Sequence, residues 1–227
     1  MKRNKKIALA ANVTVIAAIF ILNFFYQKNG FDFTLKCICS GLFALLGALN
    51  LVCGFSESRK NQKFYIAMAA GLMLAFLGDV LIGFDFIVGA ATFALGHVCF
   101  VIAYCFTERL TTIDLTISGA LFLGSALFLT LSPLLTFDTP VFRIVCIVYA
   151  LIISLMLGKA IGNLIRKRCP FTITVAAAST LFFFSDLMLV FDWFIGKWSW
   201  TDNACMGTYY PALCLLAFSM ILYKKEK

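Results

Sequence analysis

An apolar run of about 20 residues recurs eight times along this chain, and no other feature limits its fold so tightly. At ~1.5 Å per residue, a helix of that length crosses the ~30 Å hydrocarbon core of a bilayer. The runs fall at roughly 7–26, 33–54, 63–83, 86–106, 113–133, 140–165, 171–194 and 204–223, punctuated by Gly, Pro, Asn and charged residues. Lipid offers no water to a backbone amide, so each run must satisfy its own N–H and C=O groups as a helix. The expected fold is all-α: one polytopic membrane bundle of eight transmembrane helices over residues 1–227. The connection at Gly83 to Asp85 and the one before the last run are short, which makes those helix pairs antiparallel neighbours.

Composition agrees. Only 13% of residues are charged and mean hydropathy is +0.96, whereas a soluble domain carries about 25% charged residues. The first run follows MKRNKK but has no small-residue cleavage site before Gln27-Lys28-Asn29, so it reads as an uncleaved helix, not a signal peptide. The net charge of +8 belongs to loops facing one side of a membrane and does not indicate nucleic acid. The nine cysteines lie mostly within apolar runs and read as small hydrophobes.

With a cytoplasmic N-terminus, fifteen Lys/Arg fall inside (2, 3, 5, 6, 59, 60, 63, 109, 159, 166, 167, 168, 224, 225 and 227) and four outside (28, 36, 143 and 197). The positive-inside rule then places both termini in the cytoplasm of a multi-pass cell-membrane protein.

Against this background Asp79 is conspicuous. It interrupts LAFLGDVLIGFDFIVG, residues 74–89. A shift of 107 residues lays that stretch over LFFFSDLMLVFDWFIG, residues 181–196, with six of sixteen positions identical, including Asp79/Asp186 and Asp85/Asp192. The match suggests a parallel repeat of four plus four helices, with halves 1–112 and 113–227. Asp79 follows Lys63, and Asp186 follows Pro170, by the same sixteen residues, so both lie roughly 24 Å from the inner edge. An aspartate at a helix centre costs about 3 kcal/mol to insert, and the usual remedy is to face the bundle interior. Gly71, Ala75, Asp79 and Gly83 share one face of the third run, a small-residue stripe that admits a close neighbour. The alternative is that each carboxylate only satisfies groups of a packed core. Asp85 and Asp192, near helix ends, read as solvated.

Other polar residues accompany the pair. His97 is the chain's single histidine and sits mid-run; Tyr149 and Tyr209-Tyr210 fall in the outer half, as do Lys36 and Arg143 near helix ends. The two cations serve either as snorkelling anchors or as contacts to a phosphate headgroup. One histidine excludes a three-histidine zinc site, and the chain has no HExxH, no GxSxG elbow and no Ser–Lys pairing within the runs. Two carboxylates, a histidine and tyrosine hydroxyls remain. That set suits a general acid beside an anion, the logic of glycosidases acting through oxocarbenium-like transition states.

Gly78-Asp79 in FLGDVLIG, Gly96-His97 in GAATFALGHVCF, Ser185-Asp186 in LFFFSD and Tyr209-Tyr210 in GTYYPALCLLAFS occur in an order that resembles the YhhN-type lysoplasmalogenases, with Lys36-Cys37 and the run around Tyr149 also fitting. The resemblance covers essentially the whole chain. One departure is Leu213, where that family usually has glutamine. What the resemblance implies is hydrolysis of the vinyl ether bond of a lysoplasmalogen to a fatty aldehyde and glycerophosphocholine or glycerophosphoethanolamine. Asp79 and Asp186 would be acid and stabilising base, with His97 shuttling protons or orienting one of them. Tyr149, Tyr209, Tyr210 and Ser185 would position substrate or water, and Lys36 would meet the phosphate. The expected partners are the lysophospholipid substrate and membrane lipid, with no metal and no organic cofactor. Two other classes compete with the hydrolase: a proton-coupled transporter of lipid or a small solute, and a non-catalytic membrane protein. A transporter should show broken helices, yet three of the four prolines fall at run ends.

Overall fold

The computed structural model describes residues 3–30, 32–57, 61–196 and 200–223. The basic C-terminal run 224–227, with Lys2, Arg59, Lys60 and Lys197, lies outside them. The described residues form eight helices and no strand: α1 (Arg3–Lys28), α2 (Phe33–Glu57), α3 (Gln62–Leu81), α4 (Phe86–Thr107), α5 (Thr112–Leu131), α6 (Pro140–Arg166), α7 (Pro170–Phe194) and α8 (Thr201–Leu222). All eight are long and apolar enough to cross a membrane, as the apolar runs require. Starts and stops have local causes. Pro140 and Pro170 open α6 and α7 at positions whose N–H would be unpaired anyway. The Asp85 carboxylate accepts the Val88 N–H at 2.9 Å and caps α4. Because spanning helices alternate, the start of α1 and the end of α8 lie at one end of the bundle, here the termini end. The far end carries the α1–α2, α3–α4, α5–α6 and α7–α8 connections.

The small-residue face of α3 does admit a neighbour. A Cβ at Gly71 would strike the Phe100 ring of α4 at 2.5 Å, and one at Gly96 of α4 would lie 3.2 Å from the Gly71 carbonyl. Exchanging α1–α4 with α5–α8 maps the packed pairs α1–α2, α2–α3 and α3–α4 onto α5–α6, α6–α7 and α7–α8, and α2–α8 onto α6–α4. Two pairs have no counterpart. Helix α8 packs on α1 and α3, whereas α4 makes no close backbone approach to α5 or α7. Among the described residues, helix α5 makes a close backbone approach to α6 and to no other helix.

At the termini end a buried ionic knot holds α5 to α6. Asp114 accepts from Lys159 Nζ at 3.1 Å and from both terminal nitrogens of Arg166 at 2.8 and 3.1 Å. Lys159 also donates to the Arg109 carbonyl and to Asn163. Lys159, one of the fifteen cations counted on the inner side and already within the run 140–165, has none of its surface accessible. A charge there survives because three acceptors surround it.

Candidate functional site

Asp79 and Asp186 occupy matched positions in sequence but different surroundings. Helix α3 ends two residues after Asp79, and the chain then turns into α4. Helix α7 continues eight residues past Asp186 to Phe194. The matched Asp85 and Asp192 diverge for the same reason, Asp85 capping α4 while Asp192 stays within α7.

Asp79 is closed in, with 2% of its side chain accessible. Its Oδ2 accepts the hydroxyls of Ser40 and Tyr209, each at 2.6 Å, and its Oδ1 lies 3.2 Å from Lys36 Nζ. Tyr210 completes the shell by donating to the Lys36 carbonyl at 3.3 Å. Lys36 and Ser40 sit one turn apart on α2, and Tyr209 comes from α8, so one carboxylate ties three helices together. Charge-assisted bonds contribute about 1.5–3 kcal/mol each, enough to offset the cost of placing the aspartate in the bundle.

Asp186 is the open one, 13% accessible. The Tyr149 hydroxyl donates to its Oδ2 at 2.7 Å. His97 Nε2 lies 2.7 Å from the Tyr149 oxygen and 3.4 Å from the same Oδ2. Since the one Tyr149 proton goes to Asp186, the phenol oxygen accepts from His97, which puts the proton on Nε2. His97 Nδ1 is buried without a partner among the described residues. Phe182 stands edge-on to both His97, at 4.6 Å, and Tyr209, at 5.4 Å, and separates the two centres by one aromatic layer.

Asp186 and Tyr149 open onto a cavity of about 280 Å³, otherwise walled mainly by apolar groups including Phe93, Phe128, Leu129, Ile153 and Val190. It occupies the place where α4, α5 and α7 fail to close. Gly124 of α5, on its wall, faces outward, and α5 and α7 make no close backbone approach, meeting through Phe128 and Phe191 at 5.6 Å, so the cavity opens sideways as a crevice. Asp79 is not on this wall.

The structure therefore brings together His97, Tyr149 and Asp186 in one cluster, and Lys36, Asp79, Tyr209 and Tyr210 in another. Ser185 joins neither: its Oγ lies 3.5 Å from Cys205 Sγ of α8, off the crevice wall. Leu213 is fully buried in the core, away from the crevice. Ser40 escaped the sequence reading, although its spacing of one turn from Lys36 was a visible signal.

Comparisons with curated proteins and with solved structures find no match. The YhhN family model matches residues 31–220, a span holding every residue of both centres, all of α2 to α7 and α8 up to its last two residues, and on that match the chain belongs to the YhhN family.

Proposed function

We propose that this protein is a membrane-embedded hydrolase that cleaves the vinyl ether bond of lysoplasmalogens, with Asp186 as the acid. The observation that carries this reading is a carboxyl, backed by Tyr149 and His97, on the wall of an apolar crevice. The crevice takes the alkenyl chain. With Oδ2 engaged by Tyr149, Asp186 keeps Oδ1, which has no partner among the described residues, for the proton it delivers.

The π electrons of the vinyl ether take the Asp186 proton onto the β-carbon, and the α-carbon, left electron-deficient, is stabilised by a lone pair of the ether oxygen as an oxocarbenium ion. Water adds to the α-carbon while the Asp186 carboxylate takes its proton, restoring the acid. The resulting hemiacetal collapses: its hydroxyl proton passes to the departing glycerol oxygen, and a fatty aldehyde and a glycerophospho-alcohol leave. Asp79, one aromatic layer behind, holds Tyr209 and Lys36 in place and so positions the wall of the site. This departs from the expectation that both aspartates act on the substrate. The repeat halves 1–112 and 113–227, and an orientation with both termini in the cytoplasm of the cell membrane, belong to the same reading.

The test uses purified protein in detergent. A lysolipid bearing a vinyl ether should yield aldehyde, and the matched saturated alkyl ether should stay intact because it offers no carbon to protonate. Absence of aldehyde, or equal attack on both ethers, overturns the proposal; proton or lysolipid movement across sealed vesicles without aldehyde would mark a carrier instead.

A further inference from the structure

The offset that superposes Asp186 on Asp79 also superposes Arg143 on Lys36, since 36 and 143 differ by the same 107 residues. The two cations behave differently. Lys36 closes on its aspartate at 3.2 Å, but Arg143 forms no ion pair among the described residues. Its guanidinium carbon stands 5.1 Å above the Phe137 ring, and the side chain is exposed. Asp138, next to Phe137 in sequence, forms no ion pair with it.

Where Arg143 sits matters. On α6 it lies three and seven residues before Cys146 and Ala150, both on the crevice wall, and so extends their stripe toward the far end. Phe137 packs on Phe194 at 4.6 Å, and Phe194 on Phe86 of the crevice wall at 5.5 Å, so the cation stands on the crevice's aromatic rim. It also falls at the start of α6, where the helix dipole is positive and a cation adds nothing to helix stability. An exposed guanidinium on an apolar rim, at the wrong helix end and without a carboxylate, is arranged for an anion from outside the chain.

We infer that Arg143 is the phosphate-binding residue of the crevice and selects lysolipids that carry a phosphodiester. The inference rests on the reading of the crevice as a lysolipid site. A molecular ruler supports it. Tyr149, which touches Asp186, lies six residues along α6 from Arg143, a rise of ~9 Å. In a lysolipid, five bonds separate the ether oxygen from phosphorus, ~6 Å at about 1.2 Å per bond. A further ~3 Å hydrogen bond from guanidinium to phosphate closes the distance. An ether oxygen beside Asp186 thus sets its phosphate within reach of Arg143, while Lys36 is committed to Asp79.

The test measures binding without turnover. A saturated 1-O-alkyl lysophosphatidylcholine and the matching 1-O-alkylglycerol are titrated into detergent-purified protein, followed by tryptophan fluorescence, for which Trp193 lies 4.7 Å from Phe86 of the crevice wall. Wild type should bind the phospholipid about tenfold more tightly than the neutral lipid. Arg143→Ala should abolish that preference, leaving affinity for the alkylglycerol within about twofold, and Arg143→Lys should restore part of it. A preference that persists in Arg143→Ala overturns the inference, as does equal weakening of both ligands or failure of wild type to bind either. Equal competition by diacyl phosphatidylcholine would overturn it too, since Arg143 would then be an anchor to bulk headgroups. These ligands are not cleaved, so the result stands apart from the aldehyde assay: loss of the hydrolase reading shows there, loss of the phosphate subsite shows here.

Discussion

Asp79 and Asp186 lie at equal distances from the start of matched stretches, yet one is walled in and the other looks into a crevice. The difference comes from the helices around them. Around Asp79, α8 packs on both α1 and α3, and its Tyr209 reaches the carboxylate. Around Asp186, α4 makes no close backbone approach to α5 or α7, and the gap is the crevice. The same residue type in the same kind of helix is tied into three helices in one place and left facing a crevice in the other. Depth and sequence context do not separate the two; the packing of neighbours does.

The largest expected effect breaks the open side. Asp186→Asn should lower aldehyde release about 10²- to 10⁴-fold, the range for removing a general acid, while the protein purifies folded because Asp186 ties few groups together. Retention of more than about a tenth of the wild-type rate, ~1.4 kcal/mol, would remove it from the chemistry.

Next comes the closed side, where the expected loss is in stability. Asp79→Asn leaves Lys36 without its counter-ion in a site where that side chain is 14% accessible. Breaking a buried pair from one side costs about 3–5 kcal/mol, somewhat less here because Lys36 is not fully enclosed. The thermal midpoint in detergent should fall clearly. Adding Lys36→Met should recover most of it, and activity should return to within about tenfold of wild type. A double variant that is folded but inactive would show that Asp79 acts on the reaction directly.

A matched pair of tyrosines sharpens the contrast. Tyr149→Phe removes the donor to Asp186 and should slow turnover about 10- to 100-fold with little change in melting. Tyr209→Phe removes the equivalent donor to Asp79 and should do the reverse, lowering stability by about 1–3 kcal/mol with activity within about threefold. Smallest of all, Ser40→Ala should cost about 1 kcal/mol of stability, read as a modest shift in the same melting assay. If Ser40→Ala or Tyr209→Phe abolished activity in folded protein, the assignment of Asp79 to a positioning role would fall.

Much of this protein is legible in its sequence because lipid leaves a chain few options. The eight apolar runs became eight helices whose ends differ from the expected limits by at most four residues. Asp79, Asp186 and His97 stood out because an ionisable group in an apolar run is costly and therefore has a reason. What the sequence did not decide is which groups meet. Lys36 and Asp79 lie on different helices, as do Tyr149 and Asp186, and only the lateral order of the helices brought each pair within 3.2 and 2.7 Å. Lys159 reads only as one more inward-side cation until Asp114 of another helix is placed beside it. The crevice itself is a gap between the backbones of α5 and α7, bridged by Phe128 and Phe191 at 5.6 Å, and no single residue encodes a backbone approach that two helices do not make. Hydrophobic periodicity and length govern which segments enter the membrane, a local property of each run. Which carboxylate stays open depends on how α4 and α8 pack against their neighbours, and that is settled only in three dimensions.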